Sequence, residues 1–386
     1  MNRAARRVGV LAAAALVPLV VSAMAVGAAP PPGADVATTI QKFRAQEAAT
    51  PVRDNPRWRT PKKVLLLNWT NPAMGSRTAA FQSAMPGVRI VTAANRQAAI
   101  AEAADADVIV GANPDICDPQ ILAAARELRW VQSLSAGVEL CMQVPAIKAP
   151  DLVVSNMRGV DSVAIAEHAI AMLLTLSHGL DAFALDTSRG VWSRERAASV
   201  PIQVLDGKTM LVVGLGGIGT EVAQRAAGLG MKVIATDAGR GPKPSFVSAV
   251  SPPTDLLKIA PTADVIVSCV PLTPETTNLY DAKFFAVLKP TAYFLNVARG
   301  QSVVTDELMK ALNEKRLAGA ALDVVEPEPL PANHPLWKSP RVLMTPHISS
   351  RSDLPGEGRW VLLAENFRRY AAGERLLQVV DVRRGY

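Results

Sequence analysis

One glycine-rich segment limits the folds open to this chain more than any other feature of the sequence. It reads GLGGIG over residues 214–219, follows the apolar run 210–213 and precedes the helical stretch 220–230. A second apolar run then ends in Asp237, 18 residues after Gly219. This order of strand, glycine turn, helix, strand and acidic residue predicts a βαβ unit that binds a dinucleotide.

The glycines have separate physical tasks in such a unit. Gly214 permits the tight turn, Gly216 lets the backbone approach a pyrophosphate, and Gly219 allows the helix to pack closely on the strand. The start of the helix offers unpaired N–H groups and a partial positive charge to the phosphates. The predicted phosphate contacts are therefore Gly214, Gly216, Gly217, Ile218 and Gly219.

The carboxylate at position 237 bears on which dinucleotide is bound. Asp237 can accept hydrogen bonds from the adenosine ribose and would repel a 2′-phosphate, which favours NAD over NADP. Arg240 is close enough in sequence to leave NADP open as the alternative.

From Lys62 onward, short apolar runs alternate with helical stretches, as in parallel α/β sheets. One set of runs precedes a long apolar helix predicted over 163–180, and the other set follows it. The runs are 63–69, 88–93, 107–111, 128–134 and 152–156, then 209–214, 232–237, 264–270, 292–298, 320–325 and 342–346. We therefore expect an α/β protein with two doubly wound, parallel-sheet (Rossmann-like) domains and a cleft between them, as the length of 386 residues also favours.

Two further segments of the chain are assigned from their composition. The Gly-, Pro- and Ser-rich segment 239–254 is expected to be a surface loop. The amphipathic stretch 358–373 is expected to form a helix that returns to the first domain.

Composition and charge exclude several classes of protein. With 49% hydrophobic and 19% charged residues, the chain is too apolar to be disordered. Its net charge of +7 is partly due to arginines at the extreme N-terminus, and no basic block points to nucleic acid. The cysteines Cys117, Cys141 and Cys269 are few and widely spaced, so we expect neither a disulfide framework nor a metal site.

The first 35 residues have the pattern of a targeting segment. A basic stretch over 2–7 precedes an almost wholly apolar stretch over 8–26, and small residues suit cleavage after Ala25 or Ala29. This order predicts a signal peptide over residues 1–29 and an exported protein, periplasmic or secreted. The alternatives are a membrane anchor, because about 20 apolar residues can span a bilayer, and a cytoplasmic enzyme whose start lies downstream.

Three later motifs place polar side chains at the ends of predicted strands. Arg299 follows the run 292–298, Asp323 and Glu328 lie at the end of the next run and just after it, and His347 follows the last. Ligands of open α/β sheets bind at the carboxyl ends of strands, so these groups are expected to converge. A guanidinium can clamp the carboxylate of a small 2-oxo acid. An imidazole beside an acid can exchange a proton with the substrate oxygen while hydride moves to or from a nicotinamide.

The chain resembles the D-isomer-specific 2-hydroxyacid dehydrogenases, a family that includes glyoxylate/hydroxypyruvate reductases and phosphoglycerate dehydrogenases. The resemblance covers about residues 60 to 380 and rests on LSAGVE (134–139), AEHAIAMLL (166–174), VVGLGGIGTEVA (212–223), VPLTPETTNLYD (270–281), LNVARGQSVVTDELMKAL (295–312), GAALDVVEPEPLPANHPLW (319–337) and TPHISS (345–350). It implies a substrate domain of residues 60–156 plus 347–386, an NAD-binding domain of residues 157–346, and a homodimer.

The resemblance also implies roles for individual residues. Arg299 is implied to bind the substrate carboxylate, Glu328 to be the acid partner, and His347 to be the general acid and base. Asp323 is implied to lie near the nicotinamide carboxamide, and the backbone N–H groups of the loop 135–138 to cradle the substrate carboxylate. The expected substrate contacts are Ser135, Ala136, Gly137 and Arg299. The expected cofactor contacts outside the glycine turn and Asp237 are Val270, Pro271, Ala298, Arg299, Asp323, His347 and Ser349.

Other histidines offer a second interpretation of the proton carrier. His334 is the rival of His347, whereas His168 and His178 lie on the long helix and are expected to be packing or capping residues.

Among the remaining residues of the matched region, Glu326 lies two positions before Glu328 and is expected to be solvated. Cys269 and Trp337 are expected to fill the core.

We therefore expect an NAD(P)-dependent enzyme that interconverts a D-2-hydroxy acid and a 2-oxo acid, with closure of the cleft about hinges near Asn156 and Pro346. A formate or phosphite dehydrogenase is the alternative within the class, although a formate enzyme is expected to have an amide at position 328. A non-catalytic NAD(H)-binding sensor or corepressor-like module is the alternative from another class. The expected partners are the small acid and a second copy of the chain, with a membrane only if the N-terminal segment is retained.

Overall fold

The apolar runs of the sequence form the strands of two parallel sheets. The computed structural model describes residues 36–69, 71–239, 243–352 and 356–385, so the predicted signal peptide (residues 1–29) and Arg240 lie outside the described residues. Each of the eleven predicted runs contains a strand, and most of these strands are buried on both faces, which requires nearly continuous apolar sequence. The predicted α/β fold with parallel, Rossmann-like sheets is confirmed.

The first sheet consists of five parallel strands. They are Lys63–Leu67 (β1), Arg89–Ala93 (β2), Val108–Gly111 (β3), Trp130–Ser133 (β4) and Val153–Ser155 (β5). Their order is β2-β1-β3-β4-β5, and Val64 of β1 lies opposite Ile90 and Val108 of its two neighbours. The carboxyl ends of β3 and β4 therefore lie side by side, which brings the segments that follow them together.

The second sheet consists of seven parallel strands. They are Thr209–Val213 (β6), Lys232–Thr236 (β7), Ala249–Ser251 (β8), Val265–Ser268 (β9), Tyr293–Asn296 (β10), Gly319–Leu322 (β11) and Val342–Met344 (β12). Their order is β12-β11-β10-β9-β6-β7-β8, so the direction of progress through the sheet reverses between β6 and β9. Such a switch point opens a crevice at the carboxyl ends of the strands, where ligands of this fold class bind.

Helices cover these sheets and connect them. They are Val36–Lys42 (α1), Thr78–Ala84 (α2), Arg96–Glu102 (α3), Pro119–Ala124 (α4), Ser162–Ser177 (α5), Leu180–Ser188 (α6), Arg194–Ala198 (α7), Gly217–Gly228 (α8), Leu256–Ile259 (α9), Ala282–Ala286 (α10), Thr305–Asn313 (α11) and Glu357–Ala371 (α12). The predicted long apolar helix is α5, which buries Ala166, Ala169 and Leu173 in the core of the second sheet. It ends before Gly179, whose φ of +64° is a backbone conformation that favours glycine.

The predicted return of the C-terminal helix to the first sheet is confirmed by aromatic packing. The ring of Phe367 on α12 lies edge-on to Phe81 of α2 and Trp130 of β4, with centroids 5.2 and 5.8 Å apart. Tyr370 stacks on the same Trp130 at 4.8 Å. Helix α12 thus completes the hydrophobic core of the first sheet, whose strands come from the N-terminal half of the chain.

The cysteine prediction is wrong in one respect, because Cys117 and Cys141 form a disulfide. Their Cα atoms are 4.6 Å apart although 24 positions separate them in the sequence. The spacing concealed the pair, since only the adjacency of β3 and β4 brings the two segments together. Cys269 is the free cysteine.

Two other local predictions are wrong. The segment 239–254, expected to be a loop, contains the short edge strand β8, which pairs with β7. Trp337, expected in the core, is 52% exposed, and its indole N–H donates to the carbonyl oxygen of Pro331 at 2.8 Å. Both exceptions lie at the surface, where apolar content and burial are only loosely linked.

Among the described residues, no single helix has both the length and the apolar composition needed to cross a membrane. Within the part of the chain that the structure describes, only α5 and α6 taken together meet that criterion, and they are bent by 77° at their junction.

Candidate active site

The glycine turn lies between β6 and α8, next to the switch point of the second sheet. Gly214 has a φ of +93°, and a Cβ there would lie 2.9 Å from the carbonyl oxygen of Cys269. A Cβ on Gly219 would overlap the carbonyl oxygen of Gly214, so these two positions require glycine for the turn and for close packing. No atom from outside the immediate chain lies within 4 Å of the Cβ position of Gly216, which leaves room there for a phosphate beside the first N–H groups of α8. The turn therefore fits a dinucleotide.

Asp237 follows β7, and its carboxylate is fixed over this turn. Oδ2 accepts from the backbone N–H of Leu215 and Oδ1 from that of Gly239, both at 2.6 Å. Each oxygen keeps a lone pair for a further donor, such as a ribose hydroxyl. The glycine turn and Asp237 thus form one preorganised unit.

Arg299, Glu328 and His347 follow three adjacent parallel strands, β10, β11 and β12, at one edge of the second sheet. Gly300 packs against the backbone of Val325 and Glu326, where an added methyl group would overlap the carbonyl of Val325. The segment that carries Arg299 therefore touches the segment that carries Glu328.

His347 and Glu328 form the first part of the candidate site. Nδ1 of His347 lies 2.8 Å from Oε2 of Glu328, and Oε1 of the same carboxylate accepts from the backbone N–H of Val325 at 3.0 Å. The bond to Nδ1 leaves Nε2 as the ring atom that can meet a substrate. The His347 side chain is 47% exposed, so a substrate can reach it.

The backbone of His347 is held in an uncommon conformation. Its φ is +51°, and its N–H donates to the carbonyl oxygens of Asp323 and Thr345 at 2.8 and 3.0 Å. A residue other than glycine is strained in this left-handed region, and such strain persists where the surrounding contacts demand it.

Those contacts come mainly from the buried carboxylate of Asp323. Its oxygens accept from the hydroxyl of Thr345 at 2.6 Å and from the backbone N–H groups of Ile348 and Ser349 at 2.9 and 3.1 Å. Burial alone would raise the pKa of Asp323, but hydrogen bonds from Ser349, Thr345 and the backbone outweigh burial and hold the pKa below its ordinary value. In this structure Asp323 holds the turn that carries His347.

His168 belongs to the same cluster. Its Nε2 lies 2.9 Å from Oγ1 of Thr345 and 3.7 Å from Oδ1 of Asp323. His168 therefore fills its predicted packing role through polar contacts rather than apolar ones. No local pattern could indicate this contact, because His168 and Thr345 are 177 positions apart.

Arg299 and the predicted substrate loop form the second part of the site. Nε of Arg299 donates to Oε1 of Glu139, and Nη1 donates to the carbonyl oxygen of Ala298 at 2.7 Å. The guanidinium lies on the backbone of Gly137, where an added methyl group would overlap both Nη2 of Arg299 and the carboxylate of Glu139. Sequence reasoning missed Glu139, although it directly follows the predicted substrate loop.

Two asparagine side chains orient this loop. Nδ2 of Asn156 donates to the carbonyl oxygen of Ala136 at 2.7 Å, and Nδ2 of Asn113 donates to that of Gly137 at 2.6 Å. A trans peptide points its N–H away from its C=O, so the N–H groups of Gly137 and Val138 face away from these amides. Asn156, expected near a hinge, is thus anchored to the loop.

The remaining predicted cofactor contacts are Val270, Pro271 and Ala298, which lie next to residues already described. Cγ1 of Val270 lies 3.2 Å from the Cβ position of Gly214, and the N–H of Ala298 donates to Oδ1 of Asn296 at 3.1 Å. The carbonyl oxygen of Pro271 accepts from Thr276 at 2.6 Å.

The alternatives to these residues have other roles. Nδ1 of His334 accepts from the backbone N–H of Leu336 at 3.1 Å and caps a short 3-10 helix. Burial raises the pKa of the Cys269 thiol to about 12, which agrees with its expected role as an inert packing residue.

The chain is similar to known proteins along most of its length. A family model for the NAD binding domain of D-isomer specific 2-hydroxyacid dehydrogenases matches residues 170–349. A glyoxylate reductase of Thermofilum pendens is 32% identical over 271 residues, which are 70% of this chain and 80% of that protein.

Solved structures give the same result. A D-isomer specific 2-hydroxyacid dehydrogenase family protein of Aeromonas salmonicida is 31% identical, with a TM-score of 0.72 over 83% of this chain and 99% of that one. An NADPH-dependent glyoxylate/hydroxypyruvate reductase of Sinorhizobium meliloti, solved with NADP and sulfate, is 26% identical, with a TM-score of 0.70 over 84% of this chain and 100% of that one.

Proposed function

The chain belongs to the D-isomer specific 2-hydroxyacid dehydrogenase family and is an NAD(P)-dependent oxidoreductase, and on this premise we propose that it interconverts a D-2-hydroxy acid and a 2-oxo acid through His347, Glu328 and Arg299. The observation that carries the proposal is the 2.8 Å contact between Nδ1 of His347 and Oε2 of Glu328. It lies at the sheet edge where the strands before Arg299, Glu328 and His347 end side by side.

In the reductive direction, the residues of this chain bind the acid and move one proton. Arg299 and the N–H groups of Gly137 and Val138 hold the substrate carboxylate. Nε2 of His347 protonates the substrate oxygen while Glu328 stabilises the imidazolium through Nδ1. The nicotinamide cofactor, when bound, supplies the hydride.

The glycine turn and Asp237 would hold that cofactor. Gly216, Gly217 and the start of α8 would face its pyrophosphate, and Asp237 its adenosine ribose. Because Asp237 is acidic, we propose NAD as the favoured cofactor and NADP as the second.

A panel of glyoxylate, hydroxypyruvate and pyruvate, run with NADH and with NADPH, tests the proposal. We expect reduction of at least one acid, and a loss of about 10²- to 10⁴-fold in kcat for His347→Ala with cofactor affinity retained. Cofactor binding without reduction of any 2-oxo acid would favour a non-catalytic NAD(H)-binding module. Turnover of formate or phosphite alone would favour a formate or phosphite dehydrogenase. A fully active His347→Ala variant would remove His347 from proton transfer.

An exposed apolar segment supports the homodimer. Around α6 and α7, Trp192 is 94% exposed, and Ile202 and Val204 are also largely exposed. A second copy of the chain would cover these side chains, as apolar patches of this kind favour. Sedimentation of the purified protein should show a dimer that Trp192→Ser weakens, and a monomeric wild type would contradict the proposal.

We also propose that the enzyme is exported, because residues 1–29 have the pattern of a signal peptide. Cell fractionation with N-terminal sequencing tests it. A cytoplasmic protein that keeps its first residues would contradict export.

A further inference from the structure

We propose that the Cys117–Cys141 disulfide is a permanent clamp on the carboxylate-binding loop, and that the chain is therefore built to fold in an oxidising compartment. The inference rests on the proposed function, which assigns the loop 135–138 to the substrate. The disulfide would position the loop covalently, and neither cysteine is among the residues described as contacting substrate or cofactor.

The disulfide joins the two segments that frame the loop. Cys117 ends the 3-10 turn Asp115–Cys117 just after β3, and Cys141 begins the 3-10 turn Cys141–Gln143, three residues after the loop that follows β4. The two strands are neighbours in the sheet, so the bond ties together their adjacent carboxyl ends. A shift of the loop would therefore require movement of both segments.

Asn113 connects the disulfide to the loop. Its Oδ1 lies 3.3 Å from Sγ of Cys117 and 3.8 Å from Sγ of Cys141, while its Nδ2 donates to the carbonyl oxygen of Gly137 at 2.6 Å. Its backbone N–H also donates to Oγ of Ser135 at 3.3 Å. The sulfur atoms thus pack against one side of the amide whose other side orients the peptide of Gly137.

That peptide lies directly beneath the carboxylate clamp. The guanidinium of Arg299 rests on Gly137, so a change in the orientation of this peptide changes both the loop N–H groups and the surface on which Arg299 lies. Preorganised donors bind an anion more tightly than mobile ones, because no ordering is needed on binding. The disulfide should therefore act on substrate affinity.

Because the disulfide is buried, it should persist once it has formed. Cys117 is 6% exposed and Cys141 is fully buried among Ile116, Ile121 and Val138. The bond must form before or during folding: the two thiols lose two protons and two electrons, and the disulfide of a thiol oxidoreductase accepts them and becomes a dithiol. Disulfides of this kind persist in oxidising compartments, to which the predicted signal peptide points independently.

The first experiment counts thiols in the full chain produced in a bacterial periplasm. After denaturation without reductant, alkylation and mass measurement should find one modified cysteine, Cys269, and three after reduction. A Cys269→Ala variant should then give none and two. Three modified cysteines without reduction would overturn the proposal.

The second experiment measures positioning. In the combined variant Cys117→Ala and Cys141→Ala, KM for the best 2-oxo acid should rise about tenfold, the effect of losing the orientation of one hydrogen-bonding peptide. The kcat at saturating acid and the dissociation constant of NADH should not change. A lower melting temperature with an unchanged KM would show a bond that only stabilises the fold, and would overturn the clamp.

Asn113→Ala supplies an independent variant with the disulfide intact. It should raise KM to a similar extent, and adding it to the cysteine changes should raise KM little further, because both act through one peptide. Fully additive effects would overturn the route through Asn113.

Failure of the proposed function remains distinguishable from failure of the clamp. If no 2-oxo acid is reduced, the thiol count still decides the bond, and calorimetry with oxamate in the presence of NADH replaces KM. Weaker oxamate binding by the cysteine variant supports the clamp, whereas equal binding, or no binding to the wild type, overturns it.

Discussion

Arg299 donates from Nε to the carboxylate of Glu139, so the proposed clamp for a substrate carboxylate already holds a carboxylate of its own chain. The pair joins residues that are 160 positions apart, one after β10 of the second sheet and the other after β4 of the first. The Nη2 edge of the guanidinium is turned toward Gly137 and the loop. Glu139 therefore has two opposing effects: it orients Arg299, and its charge repels an incoming acid.

Variants at Glu139 separate these effects. In Glu139→Gln the amide oxygen still accepts from Nε but the charge is gone, so KM for the 2-oxo acid should fall about threefold. In Glu139→Ala the guanidinium loses its orientation, and KM should rise about tenfold. Steady-state kinetics check both, with the dissociation constant of NADH as the control. A rise in KM for both variants would show that the charge itself is needed.

The backbone strain at His347 predicts that two variants without turnover differ in stability. Because φ is +51°, His347→Gly should be more stable than His347→Ala by about 1 kcal/mol, although both lack the imidazole and lose turnover. Urea unfolding of the two variants measures this difference. An alanine variant as stable as the glycine variant would mean that the turn relaxes once the ring is removed.

The lowered pKa of Asp323 predicts that the protein loses stability in acid. Because the pKa of Asp323 is lower in the folded protein than its ordinary value, ionised Asp323 stabilises the fold above about pH 4, and this contribution is lost as the pH falls through the folded-state pKa. Asp323→Asn should thus be destabilised at pH 7, and its difference from the wild type should shrink below about pH 4. Unfolding in urea between pH 3 and 7 measures the difference, with the exposed Glu326→Gln as the matched control. A difference that does not depend on pH would contradict the role of the charge.

Removal of the negative charge at Asp237 should change the cofactor preference. In Asp237→Asn one oxygen remains to accept from the N–H of Leu215, the acceptor for the N–H of Gly239 is lost, and the charge that repels a 2′-phosphate is removed. The ratio of kcat/KM with NADPH to that with NADH should rise about tenfold. An unchanged ratio would assign the discrimination to other residues of the turn.

The sequence was informative where local pattern and tertiary environment agree. Most strands could be predicted because continuous apolar runs are required in strands covered on both faces, and Gly214 and Gly219 because each has its own steric reason. The short strand β8 escaped prediction because it is an exposed edge strand with little apolar signal.

The features that the sequence concealed are those that depend on long-range contacts. The pairing of Glu139 with Arg299, of His168 with Thr345 and of Cys117 with Cys141 follows from the order of strands in the sheets, which no local pattern contains. The structure places these partners beside residues that the sequence had already singled out. The candidate site was therefore predictable in its main groups but not in the groups that hold them.

The final residues of the chain close the first sheet region. The backbone of Gln46 and Ala48 pairs with Leu376 and Gln378, and Val154 accepts a hydrogen bond from Val380. During translation, the second sheet can thus be completed while the first still lacks its closing strand segment. The part of the protein that the ribosome makes first is finished last, and a nascent chain arrested near its end would leave the first sheet without these closing contacts.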